Sequence, residues 1–265
     1  MQIVSLSPFD LFMASLLLFI LAFLSARMRL ELSGQIIIAG LRTTVQLLLI
    51  GLVLKALFAH VNIALLALIA LVMLLAAGRE IIARQKRKLT GWWGYGIGLL
   101  SISISSFSIT MLALAVIIDN KPWYEPQYSI PLLGMLMGNT MNGISLGLDR
   151  LYQTTWEQKM VIEARLMLGQ KWTKAIEDIR RESIRSGMIP IINSMAVAGI
   201  VSLPGMMTGQ ILAGSPPVEA VKYQILIMFM IAGGTGLGTM AAVWIASQRL
   251  FDRRHRLRLD RLKSK

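Results

Sequence analysis

EARLMLGQKWTKAIEDIRRESIRSGMIPIINSMAVAGIVSLPGMMTGQILAG, residues 163–214, passes from a charged amphipathic segment into an apolar one with no linker between them. In the first half Trp172, Ala175, Ile176 and Ile179 recur at the i, i+3, i+4, i+7 spacing of one helical face, while Lys171, Lys174, Asp178, Arg181 and Arg185 fall elsewhere. In the second half Ser202, Pro204, Gly205 and Gly209 interrupt the apolar run. Proline removes a backbone hydrogen bond and glycine weakens a turn. At membrane depth that is tolerated only where neighbouring helices or a water-filled cavity satisfy the freed carbonyls. The stretch therefore predicts a polar lever joined rigidly to a broken membrane helix, with these four residues as hinge or cavity wall.

Working outward, the whole chain has the composition of a membrane protein. It has 265 residues, 55% of them hydrophobic, and a mean hydropathy of +0.63, too apolar for an ordinary soluble domain. Apolar runs long enough to cross about 30 Å of hydrocarbon fall at 9–26, 36–58, 63–83, 94–118, 130–148, 188–212 and 223–247. The predicted fold is all-α: one polytopic domain over residues 1–265 with about seven transmembrane helices. Asp10 lies at the head of the first run with no Lys or Arg before it, and Arg27 and Arg29 follow, the reverse of a signal peptide, so that run is expected to stay with its amino end outside. Of the 27 Lys and Arg residues, 22 lie in alternate connections and the carboxyl tail, which makes those segments cytoplasmic. Opposite them stand Lys121 and Lys222. Trp92 and Trp93 mark one interface, Trp123 and Tyr124 the other. The segment 149–187 is then a cytoplasmic amphipathic piece, expected along the inner membrane surface or against a partner, and Gly169 is a natural break between two short helices. The basic tail 249–265 reads as an anchor to anionic membrane lipid.

Composition also excludes several chemistries. The net charge of +13 is spread between apolar runs rather than over one folded face, which argues against nucleic acid. There is no cysteine, and His60 and His255 are far apart, so no thiolate, zinc-thiolate or histidine-based site can be assembled. The GGTGLG run has no strand before it and no GK[ST] occurs, so no nucleotide loop is present and the chain is not expected to be an enzyme. A membrane hydrolase would need a nucleophile–base pair, and no such pair stands out.

Polar groups at membrane depth are costly and are weighed as parts of a pathway. Arg42 and Gln46 share a face of the second span, and Asn139, Asn142 and Asn193 fall in the fifth and sixth. These five are the candidate translocation residues; the alternatives are snorkelling for Arg42 and helix cross-linking for the amides. Lys55 reads as a snorkelling residue. Seventeen methionines, among them Met135, Met137, Met141, Met206 and Met207, are mostly filler in helix contacts, with soft Cu(I) ligation as the alternative. Asp119 and Glu125 are hard oxygen donors in an outer loop. No metal ligand set is assigned.

Two resemblances add to this. Glu163-Ala164, then Gly169 and Ile179, resemble the EAA loop of ABC importer permeases, with Arg165 in place of the second Ala and Arg181-Glu182 in place of Leu-Pro. GIVSLPGMMTGQILAG with SPPVEAVKYQI, GLRTTVQLLLIGLVLKALF, IPLLGMLMGNTMNGISLGL and FDRRHRLRLDRLKSK resemble the FetB (YbbM) family of bacterial permeases, whose plant relatives are aluminium-tolerance membrane proteins. The resemblance implies the permease subunit of an iron-exporting ABC transporter in the bacterial inner membrane, a homodimer with two copies of a cytoplasmic ATP-binding subunit. ATP and Mg would then be bound by that partner, and no cofactor by this chain. Glu163, Ala164, Leu168, Gly169, Trp172, Ile176 and Ile179 would couple to the ATPase. Another cargo, a different metal ion or a nucleotide sugar, and an ATP-independent channel or secondary transporter are the alternatives.

Overall fold

The computed structural model describes residues 7–59, 62–117 and 124–264. His60, Asp119, Lys121 and Trp123 lie outside the described residues. The chain divides into two units, residues 1–62 with 212–214, and residues 63–211 with 215–265.

The first unit is a pair of helices, α1 (Pro8–Arg27) and α2 (Ser33–Ala59), packed on each other. Helix α1 starts at a capping box: Ser7 Oγ accepts the Asp10 backbone N–H, and the Asp10 carboxylate accepts the Ser7 N–H at 2.8 Å. Phe12, Leu17 and Phe23 of α1 and Leu41, Leu48 and Leu52 of α2 are exposed. That is the surface a lipid-facing helix presents.

The second unit holds α3 (Ile63–Ala83), strand β1 (Arg87–Leu89), α4 (Trp92–Ile102) and α5 (Ser108–Leu112), then α6 (Pro126–Glu157), α7 (Lys159–Met167), α8 (Trp172–Ala175), α9 (Glu177–Val197), α10 (Gly205–Leu212) up to Ile211, α11 (Pro217–Arg249) and strand β2 (Leu262–Ser264). Two π-helical turns, Ser103–Phe107 and Ala113–Ile117, follow α4 and α5. Helix α6 is central and packs on α11, α9, α3 and α4.

Among the described residues five helical stretches are long and apolar enough to cross a membrane: Pro8–Arg27, Ser33–Lys55, Ile63–Ala83, Trp92–Val116 and Pro217–Arg249. The other two apolar runs take different forms. The run at 130–148 lies inside α6, a helix of 32 residues whose side chains meet protein rather than lipid, so it tolerates Thr140, Ser145 and small residues and has a weaker apolar signal. The run at 188–212 is not one helix. Helix α9 stops where Ala198 turns to an extended conformation, Gly199 adopts φ +82°, and α10 starts only at Gly205. Pro204 disfavours helical geometry at Leu203 before it.

Helices α6, α9 and α11 cross at glycines. A Cβ on Gly187 would lie 2.5 Å from the Gly143 carbonyl oxygen and 2.7 Å from Thr239 Cγ2. One on Gly143 would lie 2.6 Å from Thr235 Cγ2, so only hydrogen fits between the backbones. Around this crossing, Ser105, Ser106, Thr140, Thr235 and Thr239 are buried with hydroxyls that no described protein group engages.

The all-α expectation needs one addition. Strands β1 and β2 form a small antiparallel pair, Lys88 opposite Lys263, so the carboxyl tail folds back on the connection after α3. Phe251 and Leu262 are buried, with Leu257 and Leu259 packed beside them, in the cluster that also holds Ile81, Leu151, Ile176 and Ala246. The tail is thus part of the fold, where alternating Leu and Arg in the sequence read as a lipid anchor: the leucines turn inward, while Arg253, Arg254 and Arg256 stay exposed.

Candidate functional site

The break between α9 and α10 opens a cavity of about 280 Å³. Helix α6 contributes Met135 and Asn139, α9 contributes Ser194, the break Ser202 and Pro204, and α11 Gln224 and Met228. Asn139 donates its amide to the Met135 carbonyl at 2.9 Å, and Ser194 Oγ donates to the Pro190 carbonyl at 2.9 Å. Thr208 Oγ1 donates to the Pro204 carbonyl at 3.2 Å, beside the Thr208 N–H that the same carbonyl accepts at 3.1 Å. The Gln224 side-chain oxygen is buried without a partner among the described residues. An unmade bond to a buried amide costs roughly 1–3 kcal/mol, so a polar guest in this cavity would be welcome. Among the described residues no carboxylate or imidazole lines it. Among the described residues no group of three or more His, Asp or Glu could hold a metal ion.

Asn142, three residues beyond Asn139, faces a different cavity of about 260 Å³ with Arg84, Ser145, Asp149 and Pro190. The Arg84 guanidinium donates to the Asn142 side-chain oxygen and lies 4.0 Å from Glu80. Asp149 accepts the Lys86 backbone N–H and the Gln153 amide, both at 2.8 Å. Of the sequence candidates, then, Asn139 shares a cavity with Ser202, Pro204 and Gly205, and Asn142 belongs to a second, charged one. Asn193 is exposed beside Ser194, and Gly209 is exposed on α10. Arg42 and Gln46 are exposed on α2 in the first unit. Sequence reasoning missed Gln224, Arg84 and Asp149. Gln224 carried a usable signal, an uncharged amide at the start of an apolar run; Arg84 and Asp149 stood among many loop charges.

The segment 149–187 is compact. Gly169 has φ +82°, a left-handed conformation that suits glycine, and sits in the turn from α7 to α8. At that turn Met167 and Leu168 are each 82% exposed. Ala175, Ile176 and Ile179 are instead almost fully buried against α6 and the end of α11, and Trp172 packs on Phe251 with ring centroids 5.4 Å apart. The apolar stripe therefore faces this chain's own core, because the ends of α6 and α11 extend far enough to cover it, and Ile176 and Ile179 are not available to a partner or to lipid. Arg165, the departure from the EAA pattern, holds the turn closed, donating to the Ala175 carbonyl at 3.1 Å and pairing with Asp178 at 3.1 Å. Glu163 lies 3.8 Å from Lys159, one turn away. Lys174 and Arg181 flank Glu177 and hold its carboxyl below the usual range, the Lys174 hydrogen bond most of all.

The model of the uncharacterised protein family UPF0014 matches residues 8–251. The chain is 41% identical to the UPF0014 membrane protein slr1647 of Synechocystis, over 86% of this chain and 87% of that one. It is 32% identical to the probable iron export permease protein FetB of Escherichia coli, over 97% and 96%. To the protein ALUMINUM SENSITIVE 3 of Arabidopsis thaliana it is 31% identical over 92% and 88%. No solved structure matches the chain. From its apolar helices and these matches together, the chain is a membrane protein of the UPF0014 family.

Proposed function

We propose that this chain is the membrane-spanning permease subunit of an ABC transporter that exports iron across a bacterial inner membrane, driven by ATP hydrolysed on a separate cytoplasmic subunit. One observation carries the reading. Helix α9, with Pro190 inside it, spans 21 residues, about 30 Å at 1.5 Å per residue, from the end of α8 to the cavity at the break. A push on the exposed Met167–Leu168 tip is delivered along it to Ser202, Pro204 and Gly205. The similarity to a protein named as an iron export permease supports the cargo. On this reading the chain crosses the membrane seven times, with α6 and the broken α9–α10 pair supplying the crossings beyond the five apolar stretches. The amino end is outside and the tail cytoplasmic. Two copies assemble with two ATP-binding subunits, which hold the ATP and Mg; the chain itself is not an enzyme, and nucleic acid is no partner. Asn139, Gln224 and Ser202 meet the cargo at the break, Asn142 and Arg84 lie nearer the cytoplasm, and Asn193 lies along the same unit's part of the route; within the first unit, Arg42 and Gln46 on α2 are the positions to test for a part in transport.

A second cargo has its own support. Met135, Met206 and Met228 bring three thioethers to the cavity, donors that suit Cu(I) better than iron, which takes imidazole, thiolate or carboxylate. Alanine at Asn139 and Gln224 together, with metal content measured in cells overproducing the transporter, tests the route. Iron retention rising in the variant supports the first reading, copper retention the second. No change in either metal with the protein folded removes this cavity from the pathway.

A further inference from the structure

The folded tail encloses a basic cavity that the transport reading does not use. After α11 the chain turns through Asp252–Arg256, the Asp252 N–H donating to the Arg256 carbonyl at 3.1 Å, and returns so that the Arg258 N–H reaches the Leu250 carbonyl at 2.8 Å. Between this turn, the end of α11 and Trp172 of α8 lies a cavity of about 670 Å³ whose charged lining, among the described residues, is Arg249, Arg253, Arg254, Arg256 and Arg261 against one acid, Asp252. That acid is already engaged: Arg256 Nε lies 2.8 Å from it, and its other oxygen accepts the backbone N–H groups of Arg254 and Arg256 at 2.8 and 2.9 Å. Arg249 stacks over the Trp93 ring, 3.2 Å from its centroid, and Arg261 donates to the Arg249 carbonyl at 2.7 Å. Neither interaction neutralises charge. The Arg253 and Arg254 side chains have no hydrogen bond or ion pair among the described residues.

Three of the five guanidinium groups, Arg249, Arg253 and Arg254, thus face one concavity with no acidic partner among the described residues, while Arg256 pairs with Asp252 and Arg261 acts on Asp260. The carboxyl end of a helix supplies only about half a negative charge, and part of it is already capped by Arg261. Guanidinium forks match the oxygens of a phosphate group two at a time. We propose that this cavity is a phosphate-binding site. A phosphate held there joins three adjacent pieces: the tail turn, the end of α11 and, through Trp172, the α7–α9 segment. The ligand chemistry is a phosphate group, whether a free anion or the headgroup of an anionic phospholipid. The inference is independent of the cargo and of the ATPase partner.

The test uses the full chain purified in neutral detergent without phosphate, and the same chain in nanodiscs of phosphatidylcholine with or without phosphatidylglycerol. The thermal unfolding midpoint is read against added inorganic phosphate in micelles and against phosphatidylglycerol content in the discs. Four proteins are compared: wild type, R253Q/R254Q, R253K/R254K, and R150Q/R185Q, which removes the same charge from exposed positions elsewhere. Wild type and R150Q/R185Q should be stabilised by at least one of the two ligands. The half-saturating ligand level should rise tenfold or more in R253Q/R254Q and by less in R253K/R254K. A response to phosphate in micelles identifies a free anion, and a response to phosphatidylglycerol alone a lipid headgroup. Absence of stabilisation by either ligand in wild type, or an equal loss in R150Q/R185Q, overturns the proposal.

Discussion

Replacing Gly187 by alanine probes the crossing on which any transmission from α9 depends. The new Cβ would sit 2.5 Å from the Gly143 carbonyl oxygen and 2.7 Å from Thr239 Cγ2. The first of these is main chain in the middle of α6, so relief requires helices to part, not a side chain to turn. Overpacking of this kind costs about 1–3 kcal/mol, offset in part by the roughly 0.5–1 kcal/mol that alanine gains over glycine inside a helix. The net expectation is a loss of about 1–2 kcal/mol. At about 2–4 °C per kcal/mol for a chain of this size, the midpoint for the detergent-solubilised protein should fall several degrees. Gly138→Ala is the control, on α6 itself, where a Cβ meets nothing within 4 Å; it should be neutral or stabilising. A G187A variant as stable as G138A would mean that α6 and α9 do not approach as described, and the lever argument would lose its fulcrum.

Arg165→Ala removes the bonds to the Ala175 carbonyl and to Asp178. The pair is partly exposed, so global stability should drop by no more than about 1 kcal/mol, while limited proteolysis between Leu168 and Lys171 should speed up several-fold. Gln224→Leu should leave the protein equally or more stable, because a buried unpartnered oxygen is removed, yet export from cells should fall at least tenfold. The Asp252 carboxyl is held down to about 2, chiefly by the Arg256 backbone N–H. Its folded value lies below the ordinary 3.9 or so, so it stabilises the tail turn above that pH and ceases to as pH falls through about 2. Amide hydrogen exchange at Arg254 and Arg256 should therefore keep its protection from neutral pH down to about 4 and lose it toward 2.

Most of the membrane architecture was legible because hydrophobic run length reports directly on lipid contact. Phe9–Ala26 and Ile63–Ala83 read from sequence almost as the structure has them. Helix α6 and the α9–α10 pair were harder, since burial against protein relaxes the apolar requirement at Thr140 and Ser145, and Pro204 with Gly199 divides one run into two helices. The turn at Gly169 was visible in the residue type, but the direction of the Trp172–Ile179 stripe was not. Periodicity shows that a face is apolar, not whether lipid, a partner or the chain's own α6 and α11 covers it. The tail misled for the same reason, because Leu257, Leu259 and Leu262 alternate with arginines as they would on a lipid surface. Asn139 and Asn142 looked like one site, and the roughly 60° between positions three apart on a helix sends them to separate cavities. Gln224 joined the site only through tertiary packing of α11 on α6.

The most direct test is metal transport by proteoliposomes holding this chain, with and without a cytoplasmic ATPase subunit from an adjacent reading frame. The account predicts metal movement only when both proteins, ATP and Mg are present, and its loss when Leu168 at the exposed turn is changed to Glu. Movement by this chain alone at the same rate, or full ATP-driven transport by L168E, would contradict it.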